Sequence, residues 1–344
     1  MKTILYSGYA YTGGTIIGEL FREIDEFLVL PGKQPGNMEF RLLKERYGIC
    51  DLEDAIFNNL DPEVIDLAIR DFRWLCQNYA RDITRIGKPG YAYQSRSSNK
   101  FIHATKKYLN NITDFEYPMD WHFYDFKNSG LQYAFKKITK KIANNKKLFR
   151  QTANLAYPSK EKFMNLTRDY LKTIMNGFLN ELSINCEDKI VLPKSIPLYS
   201  EVKIRQVINY FDEPKLIIID RDPRDVFFEI ISSGRDRYIP IVKSNEEKAS
   251  GFIKFFKSIR RDQHKISDLQ DVYIVRFEDM CQNYEESVAN IFSFADIDPS
   301  LHTKKNTKFI PEISKKNIGK WKTDYSQNRK IYENIEKDLA EFIY

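Results

Sequence analysis

The chain has 344 residues, of which 42% are apolar, 30% charged and 14% aromatic, a composition that supports a sizeable core and excludes a disordered chain. Fourteen glycines and 13 prolines exclude collagen-like and low-complexity classes, and no apolar run approaches the ~18 residues of a membrane span. The net charge of +6, from 54 basic and 48 acidic residues, suits an anionic ligand but is too small to indicate nucleic acid.

Lys2 to Tyr6 reads as a short buried strand, and the apolar part of Met1 to Gly8 is too short for a signal peptide. A loop follows from Gly8 to Thr15. Ile16, Ile17, Leu20, Phe21 and Ile24 then mark one face of a helix, and Phe27 to Leu30 form a second strand stopped by Pro31-Gly32. Strand, glycine-rich loop, helix and strand open a parallel α/β sheet. From about 45 to 185 the pattern turns helical, over Leu52 to Phe57, Glu63 to Ala80, Lys127 to Ala143 and Lys160 to Leu182, with an irregular stretch from Ile86 to Trp121. This block reads as a large helical insertion, or cap, within a single domain of residues 1–344. Its lysines 136, 137, 140, 141, 146 and 147 read as a solvated helix face, or more sharply as a patch for an acidic acceptor. In the tyrosine-rich stretch Pro89 to Gln94, stacking on sugar rings and plain packing are both open.

The α/β pattern returns with strands at Lys189 to Leu192 and Lys215 to Asp220, the latter apolar throughout as a central parallel strand should be. Helices follow from Arg224 to Ser232 and from Glu246 to His264. A strand at Val272 to Val275, a helix from Tyr284 to Ala295, a loop to about Asn328 and a last helix complete the chain. The fold class is therefore α/β, a phosphate-loop-like parallel sheet flanked by helices. Cys50, Cys76, Cys186 and Cys281 have no paired spacing, which argues against zinc and disulfides and for a reducing cytoplasm.

Two segments carry chemistry. Gly8-x-x-x-x-Gly13-Gly14-Thr15 matches the phosphate-loop pattern, except that Gly14 stands where a lysine belongs. Its backbone amides can cradle an anion without that lysine; the plain alternative is a tight turn with no ligand. Arg221-Asp222-Pro223-Arg224-Asp225 follows a buried strand, at the sheet edge where open α/β proteins bind ligands, and a guanidinium there can grip a phosphate with two bonds. The alternative is that Arg221 and Arg224 pair with Asp220, Asp222 or Asp225 at the surface.

Together these segments resemble the sulfotransferases that use 3′-phosphoadenosine-5′-phosphosulfate (PAPS). Two later stretches match as well. Val272 to Met280 is similar to the family's strand with its Arg-[Tyr/Phe]-Glu-Asp signature, and Ser314 to Lys322 is similar to its Gly-x-Trp-Lys segment. Bacterial enzymes of surface polysaccharides are the nearest type. The resemblance implies sulfuryl transfer from PAPS to a hydroxyl acceptor, with a carbohydrate as the acceptor by family analogy, no metal and no nucleic acid. It implies a cofactor site on Tyr11, Thr12, Gly13, Gly14, Thr15 and Ile16 for the 5′-phosphate. Arg221, Ser233, Lys315, Lys316 and Trp321 would serve the 3′-phosphate end.

Departures from the family pattern stand at Tyr11, where a lysine or arginine is usual, and at Glu229, where a serine is usual. Ser232 or Ser233 would then substitute for that serine. Lys194, or Lys320 and Lys322, would supply the missing cation. Glu39 is the first choice of catalytic base and His122 the second; His103, His264 and His302 show no partner pattern. The competing readings are a non-catalytic nucleotide- or glycan-binding protein of the same fold, which Tyr11 and Glu229 favour, and a phosphate-loop nucleotide kinase, which the missing lysine disfavours.

Overall fold

Lys2–Gly8 form strand β1, in which Ile4, Leu5 and Tyr6 are at most 4% exposed. A strand covered on both faces needs this unbroken apolar run. The structure, a computed structural model, describes residues 2–9, 11–30, 41–43, 45–82, 90–119, 129–142, 151–181, 189–193, 198, 200–234, 242 and 244–343. Two compact units divide the chain, one made of Met1–Lys44 with Leu182–Tyr344, the other of Glu45–Glu181. In the first unit β1 leads through a loop to helix α1 (Thr15–Phe21), which buries Ile16, Ile17, Leu20 and Phe21, and then to the two-residue strand β2 (Leu28–Val29).

The second unit is mainly helical, with α2 (Ile49–Asp54) running on into a π-helical turn, α3 (Pro62–Ala80), α4 (Tyr93–Arg96) and α5 (Phe101–Ile112). Strand β3 (Phe115–Met119), α6 (Gly130–Ile142), β4 (Gln151–Leu155) and α7 (Lys160–Glu181) complete it, with β3 and β4 antiparallel. Helix α3 starts where Asp61 accepts bonds from the Glu63 and Val64 amides and Pro62 takes the first turn. The stretch expected to be irregular, Ile86 to Trp121, in fact holds α4, α5 and β3. Helix α5 is hard to see in the sequence because its buried stripe includes Thr105 and Tyr108, which read as polar. Those two are satisfied internally: Thr105 bonds Tyr170 at 2.8 Å, Tyr108 bonds Thr167 at 2.9 Å, and Tyr108 stacks on Tyr170 at 4.6 Å. Tyr93 is fully buried against Tyr79, Tyr91, Phe101 and Phe178, so it has no open face for a sugar ring.

The chain then returns to the first unit through β5 (Lys189–Pro193), α8 (Glu201–Ile208), β6 (Lys215–Asp220), α9 (Pro223–Ser232), α10 (Asn245–Ile259) and α11 (Gln263–Ser267). After these come β7 (Val272–Arg276), α12 (Phe277–Gln282), α13 (Tyr284–Phe294), α14 (Pro311–Lys315) and α15 (Tyr325–Asp338). The expected helix from Glu246 to His264 is two helices, α10 and α11, because Arg260 leaves the helix to form a buried ion pair with Asp220. The expected loop before Asn328 contains α14 and a 3-10 turn, Lys320–Thr323.

The sheet of this unit is parallel, in the order β2-β5-β1-β6-β7, so β1 occupies the centre and the protein is an α/β fold with helices flanking the sheet. One apolar cluster joins α1 to α13, and another joins α9, α10 and α15 around Trp321.

Candidate functional site

Parallel register sets the site. Gly8 at the end of β1 pairs with Ile219, and the next residue of β6, Asp220, pairs with Arg276 at the end of β7. Three chain exits therefore leave the same edge of the sheet: the loop from Tyr9, the segment from Arg221, and α12 from Phe277. The loop is held tightly. The Thr12 hydroxyl and amide both donate to the Tyr9 carbonyl, at 2.7 and 3.2 Å, and Thr12 is fully buried. Gly13 has φ of +83°, and a Cβ there would lie 2.6 Å from the Phe277 ring, so only glycine lets the loop pass over α12. Among the described residues the Gly13 and Gly14 amides donate no backbone hydrogen bond.

Arg221 joins this loop to the tail of the chain. Its Nη1 donates to the Tyr11 carbonyl at 3.2 Å and its Nη2 to the Asn317 carbonyl at 2.5 Å. The guanidinium lies 4.9 Å from the centre of the Phe277 ring, and the residue is 4% exposed. Nε is buried with no partner among the described residues. The sequence pointed to a two-bond grip on a phosphate; here both terminal nitrogens hold backbone carbonyls, so the side chain clasps loop and tail together. Beneath it, the buried Asp220 carboxylate accepts from the Arg221 amide at 2.9 Å, from Arg260 at 2.6 Å and from Gln263 at 2.9 Å. Arg260 also lies 4.0 Å over the Tyr9 ring.

The rest of the Arg-Asp-Pro-Arg-Asp segment is structural in a specific way. Asp222 caps α9 by accepting from the Arg224 amide at 2.8 Å. Arg224 pairs with Asp222 at 2.6 Å and Glu336 at 2.8 Å, and lies 4.3 Å over Trp321, so its pairing is half-buried rather than at the surface. Asp225 accepts from the Gly319 and Trp321 amides, at 2.7 and 3.2 Å, which fixes the tail against α9. Burial raises the Asp225 pKa above the usual carboxylate value, against the opposing pull of those two amides. Glu278 accepts from the Asp222 amide at 3.1 Å through Oε1, while its buried Oε2 has no partner among the described residues. Burial first, and the Asp222 charge in addition, push its pKa up to about 7.

The structure thus gathers Tyr11, Thr12, Gly13, Gly14, Arg221 and Trp321 into one neighbourhood. The Tyr11 ring packs on the apolar cluster that includes Trp321, and its φ is +62°. Thr15 is exposed at the first position of α1, and Ile16 faces the core. Lys315, Lys316 and Lys322 are exposed and Lys320 half-exposed, with no ion pair among the described residues. Ser233 follows the last turn of α9, its hydroxyl donating to the Ile230 carbonyl at 3.2 Å. That places it about 15 Å along the helix from Pro223, at the opposite end of α9. Glu39, His122 and Lys194 lie outside the described residues. Sequence reasoning named Asp220 only as a surface partner for Arg221 or Arg224, and missed its buried pair with Arg260 and the Asn317 carbonyl. It quoted Glu278 within a motif without giving it a role. A separate cavity of about 500 Å³ beside α12 and α13 is lined by Glu285, Glu286 and Glu312, an acidic lining unsuited to an anion.

No family model matches the chain, and no curated protein does. Among solved structures, a sulfotransferase domain from the curacin biosynthetic pathway is similar at 11% identity and a TM-score of 0.45, over 98% of this chain and 98% of that one. A sulfotransferase domain from the Synechococcus PCC 7002 olefin synthase is similar at 10% identity and a TM-score of 0.42, over 94% of this chain and 88% of that one. A retinol dehydratase in complex with androsterone and inactive cofactor PAP is similar at 12% identity and 0.37, over 99% and 81%. At such scores these likenesses carry no argument about chemistry, which rests on the residues above.

Proposed function

We propose that the protein is a sulfotransferase that moves a sulfuryl group from PAPS to a hydroxyl group of a carbohydrate acceptor. The observation that carries this reading is the Arg221 clasp. One buried guanidinium joins a glycine-bearing loop near residue 12 to a lysine-rich tail near residue 317, at the carboxyl edge of a parallel sheet. A doubly phosphorylated nucleotide needs donors at two separated points, and the loop and the tail that the clasp joins each carry candidate donors. The Gly13 and Gly14 amides suit the 5′ end, and Lys315, Lys316, Lys320 and Lys322 the other. Arg221 itself carries a buried positive charge at this junction of loop and tail, which favours an anion over a neutral ligand.

PAPS supplies an activated sulfur. In the transfer, the acceptor oxygen forms the new bond to sulfur, the sulfur–oxygen bond to the 5′-phosphate breaks, and the acceptor proton passes to a base. The protein's share is positioning and charge stabilisation. The loop amides hold the oxygen on which negative charge grows. A lysine supplies the cation that Tyr11 does not; Lys194 and Lys320 are assigned that part. Glu39 takes the acceptor proton, with His122 as the alternative, and a positioned base contributes on the order of 10²–10⁴-fold.

A second reading, a binding protein without transfer, is favoured by one observation. The Tyr11 ring is spent on apolar packing, so nothing at that position offers charge. Titration calorimetry with adenosine 3′,5′-bisphosphate, followed by a sulfate-transfer assay, separates the two. Binding with transfer supports the enzyme, and binding without transfer supports the second reading. Arg221→Ala is expected to weaken bisphosphate binding about 10- to 100-fold through loss of a charged donor and of the clasp. Unchanged binding in that variant refutes both.

A further inference from the structure

Helix α6 (Gly130–Ile142) behaves unlike the other long helices of its unit. Helices α3 and α5 bury their apolar stripes, with Ile65, Ile69 and Phe72 on one and Phe101, Tyr108 and Ile112 on the other at most 3% exposed. On α6 the stripe is turned outward: Leu131 is 85% exposed, Phe135 66% and Ile138 56%. Spacings of four and three put these three residues on one face. Lysines also stand at sequence positions 136, 137, 140 and 141, and the 13 residues of the helix include no acid. Lys137 and Lys141 are exposed, and Lys137 lies 5.1 Å over the Tyr133 ring.

From this we infer that α6 is an interfacial helix that lays Leu131, Phe135 and Ile138 into the surface of an anionic lipid bilayer while its lysines meet the headgroups. Three large side chains in a row against water are costly, and an apolar partner removes that cost. The flanking charge selects the partner. A second copy would bring like-charged lysines against each other across a two-fold contact. An acidic glycan would satisfy the lysines and leave the apolar stripe exposed. Only a surface that is apolar below and anionic above answers both features. The helix is about 20 Å long, too short to span, so it lies in the plane of the interface.

The test is co-sedimentation of the full chain with phosphatidylcholine vesicles that contain or lack phosphatidylglycerol. Binding is expected only with the anionic lipid and is expected to fall as salt rises. Each lysine near such a surface is worth about a factor of five, so Lys137→Gln with Lys141→Gln is expected to weaken binding about 25-fold. Phe135→Asp removes the aromatic side chain that would enter the bilayer and is expected to cost on the order of 30-fold or more. Its circular dichroism and bisphosphate binding should match the parent, and Leu131→Asp provides the same test should Phe135→Asp fold poorly. Phe135→Trp offers a direct readout, a blue shift of tryptophan emission on adding anionic vesicles. Three results each overturn the inference: no vesicle binding, equal binding to neutral vesicles, or anionic binding that Phe135→Asp and Leu131→Asp leave intact. A concentration-dependent dimer abolished by Phe135→Asp also overturns it, in favour of a second copy on this face.

Discussion

Glu278 makes the stability of the first unit depend on pH in a direction opposite to that of an ordinary surface carboxylate. The residue is 9% exposed, its Oε1 accepts from the Asp222 amide, and its Oε2 has no partner among the described residues. Burial raises its pKa from 4.5 to about 7. Between those two values the folded state holds a proton that the unfolded state has released. Stability therefore falls as pH rises from about 4.5 through 7 and levels off above. The shift corresponds to about 3 kcal/mol lost by pH 8 relative to pH 4.5, as an order of magnitude. Glu278→Gln keeps an oxygen for the Asp222 amide and cannot ionise. It is expected to match the parent near pH 5 and to exceed it by about 3 kcal/mol at pH 8. Urea unfolding should be followed through Trp321 in a Trp74→Phe, Trp121→Phe background, because those two tryptophans belong to the other unit. Equal pH dependence in parent and Glu278→Gln would refute the reasoning.

The clasp makes a paired prediction. Arg221→Lys keeps the charge but cannot hold two carbonyls in a fork, so it is expected to destabilise by about 2 kcal/mol and to expose the tail to proteolysis near residue 317, whereas Asn317→Ala, which retains the carbonyl, is expected to do neither. Glu23 is fully buried, takes bonds from the Lys308 and Phe309 amides at 2.8 and 2.9 Å, and pairs with His302 at 2.6 Å. Glu23→Ala should cost about 3–5 kcal/mol in the same unfolding assay, because two amides and an imidazole lose their acceptor together. On the proposed function, bisphosphate affinity should fall steeply between low and moderate salt, since the tail lysines are exposed, and Lys320→Ala with Lys322→Ala should flatten that slope in calorimetric titrations.

Legibility in the sequence tracked locality. Strands β1 and β6 were readable because doubly covered parallel strands are unbroken apolar runs, and α1 because its stripe is strict. Helix α5 was not, since Thr105 and Tyr108 are buried polar groups that bond across to α7 and so break the apolar pattern. The same division holds at the site. Arg221 and Gly13 were readable from their segments. The Asp220–Arg260 pair spans 40 residues and leaves no local periodicity, and Asn317 acts through a backbone carbonyl that any residue there would present. His302 looked solitary because its partner, Glu23, is 279 residues away. Ser233, the substitute proposed for the serine missing at Glu229, is the C-cap of α9.

The charge around Arg221 bears on where an anion can sit. Arg221, Arg224 and Arg260 face four acids, Asp220, Asp222, Asp225 and Glu278, and those acids are at most 9% exposed. Within this cluster the arginines are already committed: Arg260 to Asp220, Arg224 to Asp222 and Glu336, and Arg221 to two carbonyls. A cluster with no excess of positive charge fixes geometry but offers little net attraction to a phosphate. The attraction has to come from groups outside those pairs, and Lys315, Lys316, Lys320 and Lys322, which have no ion pair among the described residues, lie on the segment that the cluster holds in place. Division of labour follows: buried pairs set the positions of loop and tail, and exposed lysines supply the field. On that division the Arg-Asp-Pro-Arg-Asp motif is a scaffold for the tail first and a ligand contact second. Changes to Asp225 or Arg224, which touch no anion in this scheme, should therefore weaken nucleotide binding by displacing the lysines rather than by removing a donor.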